Sequence, residues 1–392
     1  MLNDIAIIFI LGIFMALIFE KIGLAPIIGM LIAGIIISPN QMNLVSEDII
    51  NLSSDLRQIA LVTILTRAGL ALSFEKLKKV GRPAILLSFL PASIEMLAII
   101  FCAQRFFSID VIDAGIMAAV LAAVSPAIVV PRMIKLIDEA YGVDKNIPEM
   151  ILAGASVDDV FVIVFFSSFL SLKTGGHLSA MSFLNVPISI ITGIIFGIIY
   201  GRILSALFKQ ININEIYKTM IFIGISFLAL DLQKLIESYI GFSALIAIMT
   251  AGMTINKQNP KLAEELLFSY NRLWKVFELF LFVLVGISVD LAYVKEAGFL
   301  AVILIFIGLI FRMLGVNLAL IRTKLNKKER LFTSLAYLPK ATVQAAIGPV
   351  ALQMGLASGN LILSVSVIAI LITAPLGAIL TDKSYKKLLK KS

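Results

Sequence analysis

Apolar residues fill this chain in long blocks separated by short polar turns. Thirteen blocks reach the length, about 17–25 residues, at which a helix crosses a bilayer. They cover approximately residues 3–20, 23–38, 57–74, 83–107, 113–137, 148–172, 184–208, 215–232, 238–255, 269–290, 297–321, 330–355 and 359–381. An all-α polytopic membrane protein is expected. The first block has no small-residue cleavage site and is read as a retained helix, not a signal peptide.

Two blocks are interrupted in matching ways. The fifth contains Ser125-Pro126-Ala127-Ile128-Val129-Val130-Pro131, and the twelfth contains Leu338-Pro339-Lys340-Ala341-Thr342-Val343-Gln344-Ala345-Ala346-Ile347-Gly348-Pro349. Proline lacks a backbone donor and clashes with the preceding turn. Within a membrane, freed backbone groups persist only where protein or a wet cavity satisfies them. Simple kinks are the plainer reading, but both breaks also carry polar groups, and paired interruptions point to a substrate site near the midplane. The breaks lie seven spans apart, an odd offset, so spans four to six and eleven to thirteen are expected to form inverted repeats with two crossing broken helices. Such a crossing gathers the partial charges of half-helix ends. Lys340 is placed to neutralise carbonyl ends there, a structural role that competes with a direct one in transport.

Charges inside spans narrow the chemistry. Asp158 and Asp159 are adjacent in the sixth span, where each carboxylate costs about 2.5–3.5 kcal/mol to insert. Helical neighbours point about 100° apart, so one acid can hold a cation while the other pairs with a buried base or titrates. Glu95 in the fourth span and Arg312 in the eleventh occupy repeat-related positions. They are expected to form a buried ion pair, because neither should stand alone in low dielectric. Arginine keeps its proton, so Arg312 orients or compensates carboxylates. Arg67 is expected to snorkel or contact lipid, and Glu278 is a candidate partner for Lys340.

Composition agrees with a membrane reading. The chain has 392 residues, is 60% hydrophobic and 15% charged, and has a mean hydropathy of +1.02, against about 45–50% apolar and 25% charged in soluble domains. Its net charge of +8 would suggest nucleic acid in a soluble protein, but charge placement argues for none. One alternate set of loops, with the tail, holds 25 of the 33 basic residues, and the other set holds Arg57, Arg105, Lys173, Lys234 and Lys295. The positive-inside rule then puts the C-terminus in the cytoplasm and the N-terminus outside, in a plasma (inner) membrane. Cys102 and His177 are the only residues of their kinds, too few for a thiolate cluster, a zinc site or a haem. No phosphate-binding loop with Lys-Ser or Lys-Thr is present. Neither a cofactor nor enzymatic activity is expected.

The Asp158-Asp159 pair preceded by Ala155-Ser156, the Ser-Pro-Ala-Ile-Val-Val-Pro break and the Leu-Pro-Lys-Ala-Thr-Val-Gln-Ala-Ala-Ile-Gly string resemble a sodium/proton antiporter. The resemblance is to the NHA/NapA-like branch of the cation:proton antiporter superfamily and covers about residues 20 to 380. It implies a homodimer of thirteen-helix protomers in contact with membrane lipids. Residues 1–80 and 215–290 would be the dimer scaffold, 82–172 and 296–382 the moving core, 184–208 a linker and 383–392 a basic cytoplasmic tail. It implies Asp159 as the main ligand for Na+ or Li+ and Asp158 as an assisting or titrating group. Ser156, Thr342 and backbone oxygens at the breaks are candidate further ligands. Many electrogenic relatives place lysine where this chain has Arg312. Proton and cation would compete for the buried acid, and the core would cross only when neutralised. The alternatives are a sodium-coupled organic-anion symporter and a potassium/proton efflux carrier of related fold. An intramembrane aspartyl protease is disfavoured, because its two acids must face each other from separate helices.

Overall fold

In the computed structural model, residues 1–71, 81–174, 180–211, 213–236 and 241–391 are described, and they are helical apart from turns and an isolated bridge between Tyr141 and Lys391. The α-helices are α1 (Leu2–Lys21), α2 (Pro26–Ile37), α3 (Glu47–Ala71), α4 (Arg82–Leu87), α5 (Leu90–Phe107), α6 (Val111–Ala122), α7 (Pro126–Asp138), α8 (Ile147–Thr174) and α9 (Ala180–Gln210). They continue with α10 (Glu215–Ile236), α11 (Ala244–Gln258), α12 (Pro260–Ile287), α13 (Leu291–Ala319), α14 (Lys327–Ala336), α15 (Thr342–Ile347), α16 (Val350–Gln353) and α17 (Gly359–Leu388). Several starts are set by side chains that satisfy first-turn N–H groups. Asp110 accepts from Ile112 and Asp113, and Asn326 forms a capping box with Glu329. His177 lies outside the described residues.

Eight helical stretches among the described residues are long and apolar enough to cross a membrane. The remaining expected spans are also helical but fall short for visible reasons. Helices α2 and α11 have only 12 and 15 residues. Charges interrupt the apolar runs of α3 (Arg57, Arg67) and α12 (Arg272, Lys275, Glu278). The twelfth span is broken into α14, α15 and α16. Arg57, counted above with the loop residues, is 6% exposed, because α3 begins at Glu47 and carries it inside, where it donates to the Leu284 carbonyl and the Ser288 hydroxyl.

The chain divides into two compact units. One includes α9, α10, α11 and the adjoining parts of α3, α8 and α12. Its packing rests on Gly193, Gly197 and Gly201, spaced by four on one stripe of α9. A Cβ on them would lie 2.7, 2.5 and 2.7 Å from the carbonyl oxygens of Ser243, Ala247 and Ala251. Because both series rise together, α9 and α11 run parallel at backbone contact, the close approach that small residues permit in membranes.

The other unit includes α1, α2, α4 to α7 and α13 to α17, with the adjoining parts of α3, α8 and α12. On α13, Gly308 and Gly315 flank Arg312 at i−4 and i+3 and press against α5. Their Cβ positions would meet Ile99 at 3.1 Å and the Pro91 backbone at 2.6 Å. That contact brings the face bearing Arg312 against the face bearing Glu95. At one end of the unit, the chain after α7 is fastened to the end of α17. Gly142 N–H donates to the Lys390 carbonyl, Tyr385 Oη donates to Glu139 Oε2 at 2.7 Å, and Arg132 pairs with Asp382 at 3.1 Å.

Gly197→Leu is expected to lower the midpoint of thermal unfolding clearly, at a cost of about 1–3 kcal/mol or more for overpacking. Gly224 in α10 has no atom within 4 Å of a built Cβ, so Gly224→Ala should leave it unchanged or slightly raised. Fluorescence-detected thermal melts of the detergent-purified variants test both.

Candidate functional site

The site is made where two helices stop short. After Ala122 the chain is extended through Ala123, Val124 and Ser125, and α7 begins at Pro126. Proline is well placed there, since a first-turn N–H would have no helical partner. Pro131 was expected in this break, but it lies inside α7. Proline there removes one backbone donor without ending the helix. The second break runs from Tyr337 to Ala341 and holds Pro339 and Lys340, before α15 starts at Thr342.

The two breaks meet. Ser125 N–H donates to the Pro339 carbonyl at 2.8 Å, and the Ser125 and Thr342 hydroxyls are 3.4 Å apart. Helix α17 backs the junction: Thr373 Oγ1 accepts from Lys340 N–H at 3.0 Å, and Gly377 allows the Pro339 ring to lie against its backbone.

A helix end leaves about four carbonyls unpaired and a partial negative charge. Here Val120, Leu121, Ala122 and Ala123 are all met by side chains from other elements. Gln344 Nε2 donates to Val120 at 3.1 Å and to Ala123 at 2.9 Å. Lys340 Nζ donates to Leu121, and Arg312 Nη1 donates to Ala122.

The same two cations hold two buried carboxylates. Arg312 Nη1 lies 2.8 Å from Glu95 Oε2, and its Nη2 lies 2.8 Å from Asp158 Oδ2. Lys340 Nζ lies 2.7 Å from Glu95 Oε1. Arg312 Nε donates to the Tyr337 carbonyl at 2.6 Å, and Val124 N–H donates to Asp158 Oδ2 at 2.8 Å. All four charged side chains are at most 1% exposed. Two positive and two negative groups balance, which is how burial of charge becomes tolerable. Asp159, next along α8, is 5% exposed.

Of the residues singled out from sequence, the structure brings together Glu95, Arg312, Asp158, Lys340, Ser125, Thr342, Pro126 and Pro339. The Ser156 side chain lies outside the described residues. Lys340 pairs with Glu95, so it does not need Glu278. Glu278 has Arg67 and Trp274 as neighbours, with the Arg67 guanidinium 5.2 Å from the Trp274 ring centre. Sequence reasoning passed over Gln344 as a contributor. The available signal was a lone amide in the otherwise apolar run of α15. Among the described residues no cluster of His, Cys, Asp and Glu is built to hold a metal ion. The oxygens at the crossing nevertheless suit a small hard cation carried as cargo.

Broken helices that cross inside an all-helical membrane bundle, with balanced charges at the crossing, are the arrangement of secondary transporters. The model of the family described as "Sodium/hydrogen exchanger, transmembrane" matches residues 5–382, and this chain belongs to that family. The chain is similar to "Sodium/hydrogen exchanger 9B2" of Pongo abelii and of Homo sapiens. Each is 31% identical, over 384 and 383 residues, covering 94% of this chain and 70% of the relative. Its fold matches the sodium proton antiporter MjNhaP1 from Methanocaldococcus jannaschii at pH 8. That match has a TM-score of 0.83 and 20% identity, and it covers 98% of this chain and 97% of the other.

Replacing Glu95 by Gln leaves two cations facing one carboxylate. Glu95→Gln is expected to cost about 3–5 kcal/mol, the range for breaking a buried pair, seen as low folded yield and an early melt. Glu95→Gln combined with Lys340→Met restores the balance and should be less damaging than Glu95→Gln alone. Size-exclusion yield and thermal melts of the single and double variants measure this coupling. Equal damage in both would refute the charge-balance account.

Proposed function

We propose that this chain exchanges Na+ or Li+ for H+ by alternating access, with Asp159 as the carboxylate that takes cation and proton in turn. One observation supports this most strongly: Asp158 is engaged by Arg312 and by Val124 N–H within a set of charges that already balances. Asp158 then serves as a fixed anchor, which leaves the exchange of cation and proton to the neighbouring acid. Ser125, Ser156 and Thr342 are candidate oxygens to complete the cation's shell. In this reading residues 82–172 and 296–382 move as an elevator core, residues 1–80 and 215–290 form a homodimer scaffold in contact with lipid, and residues 184–208 link them. The protein sits in the plasma (inner) membrane with its C-terminus in the cytoplasm, as the loop charges favour, and ion gradients alone drive it.

Competition fixes the pH behaviour. Protons occupy the same carboxylate as the cation, so the Na+ concentration for half-maximal exchange should rise as pH falls. With a single exchanging carboxylate beside a balanced set, each cycle carries one cation against one proton and moves no net charge.

Purified protein in liposomes, with internal pH followed by dye and the voltage clamped by ionophores, tests both points. Na+ or Li+ should evoke proton movement that is insensitive to the imposed voltage, and Asp159→Asn should abolish it. Folded wild-type protein that moves no protons would end the exchange reading, and voltage-dependent exchange would end the one-for-one stoichiometry.

A further inference from the structure

The four capped carbonyls at the end of α6 are not equal. Two of their caps, Lys340 and Arg312, are cations tied to Glu95 and Asp158. The third is neutral: Gln344 is fully buried, and its Nε2 donates to Val120 and Ala123, with a longer contact of 3.5 Å to Leu121. Its grip on Ala123 has a geometric consequence. The carbonyl of Ala123 and the N–H of Val124 belong to one peptide group, which is planar and rigid, with its C=O and N–H pointing to opposite sides. Gln344 Nε2 holds the oxygen side of that plane at 2.9 Å, and Asp158 Oδ2 accepts from the nitrogen side at 2.8 Å. Fixing one edge of the plane aims the other. Donation to the carbonyl also polarises the peptide and strengthens the bond its N–H makes.

We propose that Gln344 is a positioning residue for ion exchange. By holding the Ala123–Val124 peptide plane it sets how firmly Asp158 is anchored while Asp159 exchanges ions. This rests on the exchange reading above and adds to it a residue that touches neither aspartate through a hydrogen bond of its own. It also removes the carbonyls of Val120 to Ala123 from the pool of cation ligands, since each already has a protein donor. When Asp158 is held loosely, its charge is less completely shared with Arg312 and competes with Asp159 for the arriving cation. The effect falls on cation affinity, not on the crossing step.

The test compares wild type, Gln344→Met and Gln344→His in two assays. Methionine keeps the length and removes both N–H donors, whereas histidine keeps one N–H at similar reach. The first assay is stabilisation of the detergent-purified protein against heat as Na+ is raised, which reads binding without turnover. The second is Na+-evoked proton movement in liposomes. Gln344→Met is expected to raise the half-saturating Na+ concentration by roughly tenfold in both, the scale of two lost hydrogen bonds, with the maximal rate within a few-fold of wild type. Gln344→His should fall between the two, and it carries the comparison if the methionine variant does not fold.

Wild-type half-saturation in the folded variants overturns the proposal, as does a lost maximal rate at unchanged half-saturation. A wild type stabilised by Na+ that moves no protons overturns the exchange reading, and the heat series alone then decides the role of Gln344. A wild type silent in both assays overturns both.

Discussion

The structure depends on how one helix end is neutralised inside a membrane. Where α6 stops, four carbonyls and their share of the helix dipole are buried in low dielectric. Donors are therefore imported from α13, from the second break and from α15. Two of those donors are cations, and cations bring their own cost, so Glu95 and Asp158 are imported in turn. The crossing of the broken helices, the salt-bridged set and the position of the aspartate pair are then three aspects of a single electrostatic solution. Small residues make the approach possible: without Gly308 and Gly315, α13 could not bring Arg312 so close to Glu95.

The same solution separates the two aspartates, which are chemically identical. Their positions on one helix turn them toward different surroundings. Asp158 faces a peptide N–H and a guanidinium that cannot lose its proton, so its carboxylate is held by two donors. At buried acid pairs it is environment and not residue type that sets the two carboxylates apart.

Much of this was legible in the chain. Apolar blocks located the helices, because a membrane demands long runs, and prolines located both breaks. Glu95, Arg312 and the aspartates stood out because charge is rare in such runs. The finer arrangement was not legible for physical reasons. Pro131 reads like Pro126, yet only Pro126 falls where a helix needs no N–H. Arg57 reads as a loop residue until α3 is seen to begin earlier. Gln344 carries no charge, and a lone amide in an apolar run is a faint signal. Its importance comes from a peptide plane more than 200 residues away in sequence, a contact that periodicity cannot report.

The fastening between the loop after α7 and the end of α17 has a mechanical meaning. A half-helix that begins at a break is free to pivot about it unless something restrains its far end. Here α7 is restrained at both ends, by the junction with Pro339 near its start and by the Gly142–Lys390, Glu139–Tyr385 and Arg132–Asp382 contacts along and beyond it. With both ends pinned, the hinge that the break would supply is cancelled. The half-helix that leaves the crossing is thereby tied to its neighbours at each end, so the break serves as a packed junction and not as a swivel.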